Sequence, residues 1–204
     1  MVPGVLSGLV VALAACSSGG GGDTPAAAGT TSAPAPTGSD SASGGVPTPT
    51  PTPSLPDGCD GLLPFTDLDQ ALGRPLFGTT VYVEGVAQPS IGRTGRVTCQ
   101  YGLPKGGKGP APVEVGVSTY TDADSATKRI AATIAAARGA GATSQAAVTI
   151  GGLPGTVLGN KTGFTAVVAQ ENRTVAVTVL RSTKGHPDKA AAAVADKVLA
   201  NWGQ

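Results

Sequence analysis

Proton transfer near neutral pH most often falls to histidine. This chain has one, His186, among 204 residues. It sits in Lys184-Gly185-His186-Pro187, a turn sequence just before a helical pattern, and no Gly-x-Ser-x-Gly elbow accompanies it. That setting reads as a solvated residue at a helix start, with no catalytic residue assigned. Two carboxylate pairs, Asp67/Asp69 and Asp122/Asp124, are spaced as glycoside hydrolysis could use them. Both pairs fall where helices are expected to begin, and there acidic residues complement the helix dipole and its free N–H groups. Lys105-Gly-Gly-Lys108-Gly has the look of a phosphate cradle, but it lacks the Gly-Lys-Ser/Thr and following helix of a P-loop. With Arg93 and Arg96 nearby in sequence it outlines a basic edge suited to anionic headgroups or cell-wall polymers. The plainer reading of the same residues is a soluble loop. One His and three Cys are too few for a Cys/His zinc cluster, so no metal and no cofactor is expected. A net charge of +1 gives no global field for nucleic acid.

The three cysteines carry the clearest chemistry. Residues 1–15 hold no charged side chain and form an apolar run too short to span a bilayer, as in a signal-peptide core. Leu13-Ala14-Ala15-Cys16 looks like a bacterial lipobox. That likeness implies cleavage before Cys16 and thioether lipidation of its thiol, with Cys16 as the new N-terminus. No Lys or Arg precedes the apolar run, as either a start upstream of Met1 or a weaker signal would leave it. Residues 17–57 carry eight Pro and no aromatic residue, and their charges are Asp23, Asp40 and Asp57. Such a segment cannot bury enough apolar area to offset its ordering entropy, so a disordered tether is expected. About 41 residues of coil would span on the order of 35 Å. The Thr-Pro alternation of 47–53 also suits O-glycosylation. With Cys16 assigned to lipid, Cys59 and Cys99 remain, and outside the reducing cytoplasm an even pair points to a disulfide. Neither belongs to a Cys-x-x-Cys, which argues against thioredoxin-like exchange.

Residues 58–204 are enough for one domain with its own core. They hold all fourteen Lys and Arg against ten acids, a net charge of about +4. Helical patterns appear at 65–73, with Thr66 as candidate N-cap and Gly73 as stop, at 122–138 and at 187–202. In the second helix Ala123, Ala126, Ile130, Ile134 and Ala137 form a stripe; in the third it is Ala191, Val194, Val198 and Trp202. Alternating segments predict strands at 79–86, 96–102, 113–120, 147–150 and 156–158. Two more at 163–170 and 173–180 turn at Glu171-Asn172. Strands interleaved with helices imply an α+β domain, a mainly antiparallel sheet covered by helices. Asn160 and Asn172 head N-x-Thr sequons, which carry little meaning in a bacterial host.

The lipobox, the tether, Asp57-Gly58-Cys59-Asp60-Gly61-Leu62-Leu63 leading into a short helix, Cys99-Gln100-Tyr101, and the turn Ile150-Gly151-Gly152-Leu153-Pro154-Gly155 together resemble an actinobacterial cell-envelope lipoprotein family of unknown function. That resemblance covers the whole chain and implies a PsbP-like α/β/α sandwich shared with LpqN-type lipoproteins. It implies a lipid-anchored protein on the extracytoplasmic face of the cell membrane, with a palmitate-type anchor at Cys16. The expected role is non-catalytic: binding a partner protein or a small apolar envelope ligand, with an envelope protein, a lipid or a glycan as the candidate partners. A structural accessory protein without a pocket is the main rival. An unrecognised hydrolase would need Asp, Glu or His186 to converge in a cleft.

Overall fold

A computed structural model of the chain describes residues 54–202. Cys16, the signal-like run and nearly all of the expected tether lie outside the described residues. The elements begin with two short helices, α1 (Cys59–Leu62) and α2 (Phe65–Leu72). Strands β1 (Thr79–Gly85), β2 (Arg93–Leu103) and β3 (Val113–Tyr120) follow, then helix α3 (Ala123–Gly139). Strands β4 (Ser144–Ile150), β5 (Leu153–Gly159), β6 (Gly163–Gln170) and β7 (Arg173–Leu180) lead to the last helix, α4 (Pro187–Trp202). One seven-stranded sheet of order β1-β2-β3-β7-β6-β5-β4 holds all the strands, and every neighbouring pair is antiparallel. The expected α+β architecture with a helix-covered antiparallel sheet is the one observed.

Register sorts the side chains onto two unlike faces. Val97, Val117, Val175 and Val168 stand in one cross-strand row, and Cys99, Val115, Val177, Ala166 and Val157 in the next. These residues join α1, α2 and α4 in one apolar core, where Ala191, Val194, Ala195 and Val198 are fully buried. Burying a valine or leucine contributes roughly 1.5–3 kcal/mol each, so this face dominates stability. The alternate positions are small or polar: Thr98, Gly116, Ser118, Thr174 and Ala176. Helix α3 lies on that side, and of its predicted stripe only Ala126 is fully buried, with Ile130 and Ile134 half-buried.

Local chemistry explains the boundaries. Asp122 caps α3 by accepting from the Ser125 N–H at 2.6 Å. Gly73 ends α2 in the left-handed region at φ 68°, as expected for a C-terminal glycine. The start of α2 differs from the sequence expectation: Thr66 is inside the helix, and the cap position is Pro64, whose carbonyl accepts from Asp67 and Leu68. The physical reason is that proline holds an extended approach and presents a carbonyl, so no hydroxyl cap is required. The turn expected over 151–155 is tighter than the sequence indicates. Gly151 (φ 58°) and Gly152 (φ 77°) alone connect β4 to β5, the two positive φ angles that a type I′ hairpin requires. Asp196 of α4 accepts from the Gly151 N–H at 2.6 Å and holds that hairpin under the helix.

Cys59 and Cys99 are disulfide-bonded, with Cα atoms 5.6 Å apart. The bridge pins α1 to the middle of β2. Beside it the fully buried Tyr101 hydroxyl donates to the Cys59 carbonyl at 3.1 Å and the Leu63 carbonyl at 3.3 Å. Burial, reinforced by the Asp60 carboxylate, pushes the Tyr101 phenol well above its ordinary range. Residues 54–57, at the end of the expected tether, are tied to the domain. Trp202 Nε1 donates to the Ser54 carbonyl at 3.0 Å, and the Tyr82 hydroxyl to that of Pro56 at 3.0 Å.

Candidate functional site

The residues first considered for catalysis are dispersed. His186 is exposed at the start of α4, where its carbonyl accepts from Ala190. Asp67 forms an ion pair with Lys197 at 3.6 Å and accepts from Asn201 at 3.1 Å. Asp69 does not serve the helix start: it accepts from the Leu76 N–H at 2.8 Å and closes the loop after α2. Asp122 is the α3 cap, and Asp124 pairs with Lys128 at 3.9 Å on an open surface. The Ser125 N–H and the Ser125 and Thr121 side chains hold the Asp122 carboxyl below its usual range. Among the described residues, no three His, Cys, Asp or Glu side chains gather as metal ligands would.

The basic edge outlined from sequence does not assemble as drawn. Strand β2 starts at Arg93 and ends at Leu103, so the loop carrying Lys105 and Lys108 leaves its far end. Arg96 and Leu103 are seven residue steps apart along the strand, roughly 23 Å at about 3.3 Å per residue. Arg93 and Arg96 instead line one cleft with Arg129 of α3, a residue the sequence did not single out.

Two grooves result. The first lies on the apolar side at the β4 edge, where α4 covers β6 and β7 more fully than β4 and β5. Its volume is about 370 Å³. Ala146, Val148, Val157, Phe164 and Ala192 line it, with Ser144, Asp188 and Lys189 adding polar groups. Alanine at 192 is what keeps the helix from filling this space. Phe164 is braced by Arg181, whose guanidinium lies 4.3 Å from the ring centre and donates to the Asn160 carbonyl at 2.7 Å.

The second is polar and lies between α3 and the other sheet face. A cleft of about 130 Å³ is lined by Arg93, Arg96 and Arg129 together with Ser118, Tyr120 and Thr174. Beside it, sharing Arg129, runs a groove of about 390 Å³ with Ser90, Ile91, Ser125, Lys128 and Ala132. Gly92 makes this approach possible: at φ 69°, any Cβ there would sit 2.7 Å from the Ser125 hydroxyl.

A third surface is apolar and open. Phe77, Val81, Val83 and Val86 lie in or beside the edge strand β1, with Phe77 and Val86 more than 80% exposed. No helix among the described residues is long and apolar enough to cross a membrane.

Fold and grooves together define a disulfide-stapled α+β domain with ligand-sized recesses and dispersed titratable groups. No family model matches the chain, and no curated protein matches it. Among solved structures, the extracellular domain of PknH from Mycobacterium tuberculosis is similar at 15% identity and a TM-score of 0.45, over 68% of this chain and 92% of that one.

Proposed function

We propose that the chain is an extracytoplasmic protein, held to the membrane by lipid on Cys16, whose folded domain binds a small, largely apolar envelope ligand without transforming it. The observation that carries the ligand reading is the 370 Å³ groove beside α4, lined mainly by apolar side chains with Ser144, Asp188 and Lys189 among them. That is the size and chemistry of small-ligand sites. The lipobox-like Leu13-Ala14-Ala15-Cys16 supports the anchor, and the Cys59–Cys99 disulfide supports an oxidising compartment. The dispersal of His186 and the acidic pairs supports a non-catalytic role. The test is titration of the full chain with a fluorescent fatty acid. Saturable binding by the native protein, abolished in Ala192→Trp with the fold intact by circular dichroism, is the expected result. Binding that does not saturate, or that Ala192→Trp leaves unchanged, would overturn the ligand reading.

The exposed apolar residues of β1 favour a second reading, docking of a partner protein. An edge strand carrying Val81 and Val83, with Phe77 and Val86 flanking its ends, offers both unpaired backbone groups and apolar contact area. The accessory role without a ligand would rest on this surface alone.

A further inference from the structure

We infer that the cleft between α3 and the polar face of the sheet is a binding site for a phosphate or phosphomonoester group, separate from the apolar groove beside α4. Three arginines line it, from two elements that sequence does not place together: Arg93 and Arg96 from β2, and Arg129 from α3. Among the described residues none of the three has a carboxylate partner; the ion pairs present are Lys128–Asp124 and Lys197–Asp67. Like charges gathered without a counter-ion repel, and a folded protein ordinarily disperses or pairs them. Arg93 sharpens the point. One of its terminal nitrogens donates to the Val86 carbonyl at 3.3 Å, while its Nε is buried with no hydrogen-bond partner among the described residues. A buried donor without an acceptor costs free energy unless a ligand completes it.

The surrounding residues fit the same ligand. Ser118 and Thr174 stand opposite one another on β3 and β7, and Arg96 stands opposite Ser118 on its other side. The Arg96 side chain lies over Gly116, where a Cβ would be in ordinary contact with one of its terminal nitrogens at 3.5 Å. A cleft of about 130 Å³ is far larger than the roughly 10–15 Å³ of cavity needed to admit one water. Guanidinium forks match phosphate oxygens in pairs, and the serine and threonine hydroxyls can donate to those oxygens as well. The adjoining groove shares Arg129 and adds Ile91, Ala132 and two serines, so an organic group esterified to the phosphate has a place to lie. Free phosphate and a phosphomonoester headgroup present the same oxyanion to the arginines.

The experiment is isothermal titration of the full-length Cys16→Ala chain, which lacks the proposed anchor, with inorganic phosphate, alongside its flotation with phosphatidylcholine vesicles that contain or lack phosphatidic acid. Arg96→Gln and Arg129→Gln remove one guanidinium each. Lys105→Gln removes one charge at the far end of β2. The expected result is binding that each arginine substitution weakens by roughly tenfold or more and that Lys105→Gln leaves unchanged. Heat with inorganic phosphate would assign the site to the free anion; arginine-dependent flotation without that heat would assign it to a lipid headgroup. Absence of both, or an equal loss in Lys105→Gln, would overturn the inference. The apolar groove is tested by Ala192→Trp, so failure of one site is distinguishable from failure of the other.

Discussion

Removing the Cys59–Cys99 bridge should loosen the α1 end of the domain by an amount that the structure sets. The bridge closes a loop of 40 residues. Loop-closure entropy for that length corresponds to about 4 kcal/mol at 25 °C. A domain of this size is stable by roughly 5–15 kcal/mol, so the loss is large but need not unfold it. At about 2–4 °C of melting temperature per kcal/mol, the paired substitution Cys59→Ala/Cys99→Ala should lower the transition by roughly 8–16 °C. The Tyr101 hydroxyl grips the same segment through the Cys59 and Leu63 carbonyls, so the two devices are coupled. Tyr101→Phe should therefore cost about 1 kcal/mol with the disulfide intact and clearly more without it, a non-additivity that a double-mutant cycle reads directly. The assay is thermal unfolding followed by circular dichroism, with wild type in reductant as a second route to the same state. A shift under about 2 °C in both the double alanine variant and reduced wild type would refute this account of the bridge.

Other consequences are more local. Trp202→Ala should destabilise by about 3–5 kcal/mol in chemical denaturation; it removes the ring beneath Arg173 and the donor to Ser54. Gly151→Ala should cost roughly 1–2 kcal/mol, because an L residue is strained at φ 58° and its Cβ would press on Leu199. Gly61→Ala, in α1 with open space around it, should be neutral or slightly stabilising in the same assay. Asp122 titrates below its unfolded value because its cap bonds favour the carboxylate, so its contribution is present above about pH 4 and is lost as the pH falls further. Asp122→Ala should accordingly flatten the acid limb of stability against pH, and an unchanged limb would remove the cap from the account. Cys16→Ala should move the protein out of the membrane fraction on centrifugation; retention would refute lipid on Cys16 as the sole tether.

The parts of the fold legible in sequence are those where one face is apolar and the other is not. Val113–Tyr120, the hairpin about Glu171-Asn172 and the α4 stripe fall within the observed elements for that reason. Strand β4 reads short because Ser144, Gln145 and Ala146 are exposed at the sheet edge, where no alternation is enforced. Helix α1 is four residues held by a disulfide and a tyrosine, and its own sequence carries no period. The three-arginine cleft was half visible: Arg93 and Arg96 stand out, but their partner is not the lysine loop that follows in sequence. Arg129 reaches them because α3 crosses the polar sheet face, and only register reveals that Thr98, Gly116, Ser118 and Thr174 share that face. The clue lay in the polar, small-residue alternate positions of β2, β3 and β7, which an all-apolar sandwich core would not contain.

Whether the tethered domain holds a ligand can be read by native mass spectrometry of the full chain purified gently from an actinobacterial host. A tethered domain with a filled groove should carry a reproducible added mass beyond the lipid on Cys16, released on denaturation and missing from Ala192→Trp. A protein that carries the anchor but no releasable mass would contradict it and turn attention to the exposed β1 edge as a surface for a partner protein.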